Sequence, residues 1–316
     1  MAIKSYKGFD KNLRCRGFQY KIGGIYEMDG KIKMRNRGFH ACESPFDVFD
    51  YYTMIDSRFC EVEQDGNISK WDRGTKICSS KIKIKAELKL ADMINLGVEW
   101  LKEITSPEKI KTSIKDNSSG NYAKIGSSGD EAQIGSSGYG AKIGSSGHGA
   151  KIGSSGNNAQ IGSSGYGAKI GSSGNDAQIG SSGNNAQIGS SGNNAQIGSS
   201  GNDAQIGSSG DGAQIGSSGN NAQIGSSSDG AKISSSGYGA KIDNTGEDCV
   251  IMCAGINSVA KASKGSWVTL SEWSYSEEKQ RYIPICVKTE FVDGEKIKAD
   301  TYYSLKGGVF VEWIND

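Results

Sequence analysis

The chain has 316 residues, of which 46 are glycine and only 3 are proline. Glycine in such excess at a fixed spacing points to a repeat architecture rather than to a disordered segment. A formal net charge of +1 argues against a general nucleic-acid binder, which carries a basic excess, and against an acidic nucleic-acid mimic.

Residues 1–111 have mixed composition and are expected to form an α+β head domain. "YKGFDKNLRCRGFQYKIGGIYEM" reads as a strand, a polar turn and a second strand. Ser44, Pro45 and Asp47 mark a helix start, with serine capping, proline in the first position and an acid in the first turn. Phe46, Val48, Phe49 and Tyr52 would then form its buried side. Residues 59–63 and 82–88 alternate as strands, with Lys81, Lys83 and Lys85 on the wet side. The segment "LADMINLGVEWLKEI" reads as an amphipathic helix, expected to cover the open end of the repeat that follows.

Residues 112–264 are a nonapeptide repeat. Counting from Asn121, the unit is x-x-Ala-Gln/Lys-Ile-Gly-Ser-Ser-Gly, with 14 clear units over residues 121–246, one degenerate unit before and two after. Alanine and isoleucine stand two apart, so both face one way in a strand, while the residue between them faces the other way. Glycine content and the lack of a 3.6-residue period exclude helix. In the degenerate units Cys249, Ile251 and Cys253, then Ser258, Ala260 and Ala262, occupy positions three, five and seven. The same rule turns the first serine of each pair inward. A core this thin cannot offset the ordering entropy of a single unit, so the coils must stack. The expected fold class is therefore mainly β: a parallel β-solenoid of nonapeptide repeats, a β-roll or β-helix, between the α+β head and a small antiparallel β cap. A coil holds either two units or three, 18 or 27 residues, with the small core favouring two. Seven 18-residue coils would give a rod of about 34 Å. The glycine at position nine is expected to turn the corner with a positive φ.

Two functions of regular solenoids are disfavoured. Repeated calcium binding needs an aspartate in each turn, and here Asp130, Asp176, Asp203, Asp211 and Asp229 are sporadic. Ice-binding faces carry ranked threonines, and this repeat offers glutamine, lysine and serine. Position four faces outward and supplies the candidate binding residues Lys124, Lys142, Lys151, Lys169, Gln178, Gln187, Gln196 and Gln205. Tyr139, Tyr166 and Tyr238 are expected as exposed corner aromatics. One reading is a solvated ladder whose amides bond to the amides above and below. The other is a flat, neutral face offered to a partner or to another copy.

Residues 265–316 read as an antiparallel β cap with hairpin turns at Asp293-Gly294 and Gly307-Gly308. Trp267, Trp273 and Trp313 are expected to plug the far end of the solenoid. The seven cysteines, with no signal peptide expected, read as reduced thiols, and Cys249 and Cys253 as core packing rather than metal ligands. No run approaches the roughly 18 apolar residues of a membrane span. His40 is one of two histidines and a candidate binding residue of the head, expected to be bonded within it. No phosphate loop, hydrolase elbow or metal cluster is legible, so no catalytic set, metal or cofactor is expected.

Tyr6-Lys7-Gly8-Phe9, Gly38-Phe39-His40-Ala41-Cys42 and the tail "VDGEKIKADTYYSL" resemble a group of uncharacterised proteins carried by bacteriophages and prophages. These join a similar head and tail to a short-period repeat of variable length. The resemblance covers the whole chain and implies a phage context in the host cytoplasm. With no chemical cluster in the repeat, the leading expectation is a non-enzymatic binding or scaffold protein that presents the flat solenoid face to a protein partner. Its task would be inhibition of a host defence or host enzyme; homo-oligomers through the cap or the solenoid are a further expectation. Tyr6-Lys7-Gly8 and Gly38-Phe39-His40-Ala41 also resemble ADP-ribosyltransferase-type folds, which open on a Tyr-Arg-Gly-like strand. Lys7 replaces the arginine, Ala41-Cys42 stands where serine or threonine is expected, and the catalytic glutamate would fall at Glu61 or Glu63. That resemblance implies a transferase head as an alternative, and a virion or assembly component is a third.

Overall fold

Alternating sequence becomes strand in both parts of this computed structural model, which describes residues 2–54, 56–71, 74–104 and 120–314. The chain divides into two units, Met1–Trp100 and Leu101–Asp316, so the solenoid and its C-terminal cap belong together.

The head holds β1 (Ile3–Phe9), β2 (Arg14–Cys15), β3 (Phe18–Gln19), β4 (Ile25–Glu27), β5 (Phe39–Cys42), β6 (Arg58–Lys70) and β7 (Lys76–Leu88). Five of them form an antiparallel sheet in the order β4-β7-β5-β1-β6, and β6 also pairs with β7, closing the sheet on itself. Both β6 and β7 run well beyond the alternating stretches at 59–63 and 82–88. Irregular register at Glu61/Val62 and again at Asp65/Ile68 bends this hairpin, as bulges do. Phe9, Val62, Ile82 and Ile84 fill the core. Lys81 and Lys85 lie on the wet side and meet Glu27 and Glu63; exposed pairs of this kind contribute at most about 1 kcal/mol each. The helix expected after Ser44 is a single 3-10 turn, Phe46–Asp50, with the Asp47 amide donating to Ser44 Oγ at 3.3 Å. The helix α1 (Leu90–Ile104) forms where expected, with Met93, Ile94, Val98 and Leu101 buried. Its Gly97 lies so close to the Phe46 ring that a Cβ would clash, which gives that side of the helix a partner within the head.

The solenoid strands run from β8 (Lys124–Ser127) to β23 (Val259–Lys261). From β8 as far as the strand at Lys241–Asn244, each pairs in parallel with the strand 18 residues on, Ile125 beside Ile143 and Ile143 beside Ile161. The coil is therefore two units, and the even- and odd-numbered strands build two separate sheets. The degenerate unit before residue 121 lies outside the described residues. Positions three, five and seven face inward: Ala195, Ile197 and Ser199 are buried in one unit, and Cys249, Ile251 and Cys253 fill the same slots near the C-terminal end. Burial also pushes the Cys253 thiol up to about 12.

The corner works differently from the expectation. Positive φ, between 53° and 68°, falls at position two in every unit from Tyr122 to Asn257. This is why asparagine, aspartate and glycine alternate there, since these residues tolerate the left-handed region. The glycines at position nine do not have a positive φ; they are small because coils touch there. A Cβ on Gly183 would collide with the Gly165 carbonyl one coil back, and the same holds from Gly138 to Gly255. On the even-strand sheet the amides of Gln160, Gln178, Gln196 and Gln214 are exposed. Position one carries a ladder: Oδ1 of Asn157, Asn175 and Asn193 accepts the backbone N–H one coil on, at 3.0, 2.9 and 3.1 Å. Because these bonds are exposed, Asn193→Ala is expected to cost only about 0.5–1 kcal/mol in urea unfolding.

The cap extends both sheets. The hairpin β24 (Trp267–Ser276) and β25 (Arg281–Phe291) continues the even-strand sheet, and β26 (Tyr303–Lys306) with β27 (Val309–Glu312) continues the odd-strand sheet. Gly307 and Gly308, both at positive φ, make the second hairpin turn as expected. Asp293-Gly294 turns the chain but does not join two strands. The tryptophans are not the plug: Trp267 is about half exposed, at 49%, and Trp273 donates Nε1–H to the Ala254 carbonyl at 3.1 Å. Val268, Leu270, Val292, Ile297, Tyr303 and Leu305 close the core instead.

Candidate functional site

The solenoid and the head each offer one concave surface. On the solenoid, the predicted position-four residues do not share a face, because two units per coil send them to opposite sheets. Lys124, Lys142, Gln178 and Gln196 stand exposed on the even-strand sheet, whereas Lys151, Lys169 and Gln205 are half-buried and Gln187 is buried on the other. On the even-strand side the position-six glycines leave a trough of about 1370 Å³ along the coils, between Lys124 and Met252. Tyr139, Tyr166 and Tyr238 are exposed corner residues as expected.

The head cavity is the richer chemically. It has a volume of about 1060 Å³ and takes its walls from β1, β4, β5 and the loops beside them. β1 is buried over five consecutive residues, Ser5 to Phe9, and Lys7 sits in the middle of that run. Lys7 Nζ donates to the His40 carbonyl at 2.9 Å and to Cys15 Sγ at 3.5 Å, and Cys15 Sγ lies 3.0 Å from the Tyr52 hydroxyl. Among the described residues no carboxylate meets the Lys7 ammonium. Burial accordingly lowers the Lys7 pKa. Arg16, Arg35, Arg37 and Lys76 line the same cavity, and Glu27 is the sole carboxylate in its wall among the described residues. Glu27 is itself paired with Lys81 at 3.4 Å. Lys76 is lowered first by burial and then by Arg35, Lys7 and Arg16, so the cations feel one another.

His40 lies in this wall, on β5. Its Nε2 accepts the Arg35 backbone N–H at 3.0 Å, which requires the neutral ring. Burial, followed by Lys76, Lys7 and Arg16, pushes its pKa down to about 4. Flat apolar surface completes the cavity. Tyr20 and Tyr26 pack edge-on to Phe18, which is 51% exposed, and Lys76 Nζ stands 3.7 Å over the exposed Tyr51 ring. Two of the lining cations are held at positive φ, Arg16 at 50° and Arg35 at 65°. Such backbone strain clusters at functional sites. Glu61 and Glu63, where a transferase glutamate was expected, are not in the wall: they pair with Lys4 and Lys85.

Sequence reasoning found His40 and missed the cations around it. The available signal was Lys7, a lysine inside a continuous strand that otherwise reads as buried.

A family described as Domain of unknown function (DUF7666) matches residues 3–96. That stretch contains every strand of the head and the whole cavity. No curated protein and no solved structure matches the chain. Among the described residues no helix is long and apolar enough to cross a membrane, and no group of three or more potential metal ligands converges.

Proposed function

We propose that this chain is a binding protein whose head captures a small anion carrying a flat ring, of which a free nucleotide is the chemical type. The observation that carries this reading is the ammonium of Lys7, buried without a carboxylate partner among the described residues, in a cavity whose described wall holds five cations and one acid. A buried cation without an opposite charge is costly, and a bound phosphate offsets that cost. Charge-assisted bonds from lysine and arginine suit phosphate oxygens, and the rings of Phe18 and Tyr51 at exposed positions offer stacking surface for a base. With Glu61 and Glu63 engaged elsewhere, the cavity wall supports capture rather than group transfer. In the phage setting that the sequence resemblance implies, capture in the host cytoplasm would withdraw the ligand from a host enzyme or defence.

Calorimetric titration of the full chain with ADP, GDP, CDP and UDP tests this. At least one is expected to bind in the micromolar range, with adenosine or guanosine alone far weaker and affinity falling as salt rises. Lys7→Met is expected to weaken binding about tenfold, and Lys76→Gln about threefold. No heat from any of the four at about 1 mM, with the protein folded by circular dichroism, would refute the reading.

A further inference from the structure

We propose that the trough of the even-strand sheet is the docking site for a second copy of this chain, the two solenoids lying parallel about a two-fold axis along their length. This rests on the solenoid alone and is independent of the head cavity. The argument is the shape of one repeated strand. Position four bears a long side chain and position six bears none, so each coil presents a ridge beside a groove about 6.6 Å away. A Cβ placed on Gly162, Gly180 or Gly198 would meet nothing within 4 Å, so the groove is open. A two-fold axis parallel to the rod exchanges the two positions. The ridge of each copy then enters the groove of the other along the whole row, as in a dry interdigitated sheet interface. An antiparallel pair would set ridge against ridge.

The C-terminal end of the same face adds a second, apolar argument. There the ridge residue is Val250 and the groove residue Met252, 46% and 50% exposed, so a short side chain in one copy faces a long one in the other. Trp267 and Phe291 continue the patch, Trp267 pairing beside Val250 and the two rings lying 5.1 Å apart. Exposed apolar surface in one contiguous block marks an interaction site. Ten strands about 4.8 Å apart, each about four residues wide, cover on the order of 600 Å² per copy. That is about 1,200 Å² in total, at the lower end of stable specific interfaces. Lys124, Lys142 and Lys232 oppose it, because each lies at the same height as its own copy on the other side of the axis and the like charges repel.

Sedimentation of the full chain from about 1 to 100 µM is expected to show a species of twice 33.4 kDa, favoured by added salt as the lysines are screened. Gly162→Val/Gly180→Val/Gly198→Val fills the groove without touching the monomer and is expected to sediment as a monomer with an unchanged dichroism spectrum. Met252→Glu is expected to do the same from the apolar end. Lys124→Cys is expected to be joined between copies by a short flexible bismaleimide, since a parallel pair sets that position at the same height in both copies, on either side of the axis, too far apart for a direct disulfide. A wild-type monomer at 100 µM, or a dimer that survives both sets of substitutions, would overturn the proposal. A Lys124→Cys dimer that does not crosslink would overturn the parallel arrangement.

Discussion

Gly183→Val is expected to destabilise the solenoid by more than about 3 kcal/mol, while Gly180→Val, three residues earlier, changes stability by less than about 1 kcal/mol. Both add the same side chain to the same coil. At Gly180 the added Cβ meets open space, and valine suits a strand. At Gly183 it collides with the Gly165 carbonyl and lies close to that of Ser164, both backbone atoms of the coil beneath. Backbone cannot rotate away, so the coil must lift. Lifting loosens the parallel bonds from Gln178 to Ser181 and the contacts of Ile179 with its neighbours in the column. Overpacking costs 1–3 kcal/mol where side chains can yield, and more where they cannot. One natural departure sets the scale. Ser228 takes position nine in its unit, buried, with its amide donating to Ser226 Oγ at 3.2 Å and its hydroxyl to Ser208 Oγ at 3.2 Å. A hydroxymethyl group is thus tolerated when hydrogen-bonded, so Gly183→Ser should fall between the two valine variants. Thermal or urea unfolding followed by circular dichroism ranks the three. Equal midpoints for Gly183→Val and Gly180→Val would contradict the close-stacking account.

The same comparison shows what could be read from residue order alone. Alternation was legible: Ala, Ile and Ser at positions three, five and seven face inward because a strand permits nothing else, and Cys249 and Cys253 confirm the slots by chemical type. The role of position nine was not legible. Glycine is required both by positive φ and by crowding, and one sequence cannot separate the causes; the φ demand in fact showed at position two, in the Asn, Asp and Gly that alternate there. The shared face of Lys124 to Gln205 failed for a topological reason, since an even number of units per coil alternates the side on which each falls. Size does not dictate burial for the tryptophans: Trp267 lies at an outward position of β24, beside the exposed Val250. In the head, His40 was visible because histidine is scarce. Its surroundings depend on loops far apart in sequence, with Lys7, Arg16, Arg35 and Lys76 converging through a closed sheet whose order is β4-β7-β5-β1-β6. No periodicity encodes that convergence.

His40 makes the head acid-sensitive in a defined window. Its pKa is about 4 in the folded head, against an ordinary value of 6.5. Below pH 6.5 the unfolded chain takes up a proton on this ring that the folded head refuses. Stability from this residue is therefore fully present above pH 6.5, falls as pH drops, and is lost completely below about pH 4. A shift of this size corresponds to about 3 kcal/mol. Because the ring is only half-buried, solvent screening reduces the expected loss to about 1–2 kcal/mol. Protonation would also abolish the Nε2 acceptor that holds the Arg35 N–H and would add a sixth positive charge to the cavity wall. His40→Gln keeps an acceptor and cannot be protonated, so the difference in unfolding free energy between the two proteins should vary between pH 4 and 6.5 and be flat above it. Carboxylates that titrate in the same range cancel in this difference. The proposed ligand makes the sign sharper. Bound phosphate supplies the negative charge that the wall lacks and so raises the His40 pKa, narrowing the window from its lower side. Histidine ring resonances followed by NMR with and without ADP read this directly. If His40 titrates near 6.5 in the free protein, the crowding of Lys7, Arg16 and Lys76 around it is not electrostatically effective, and the case for an anion in that cavity weakens with it.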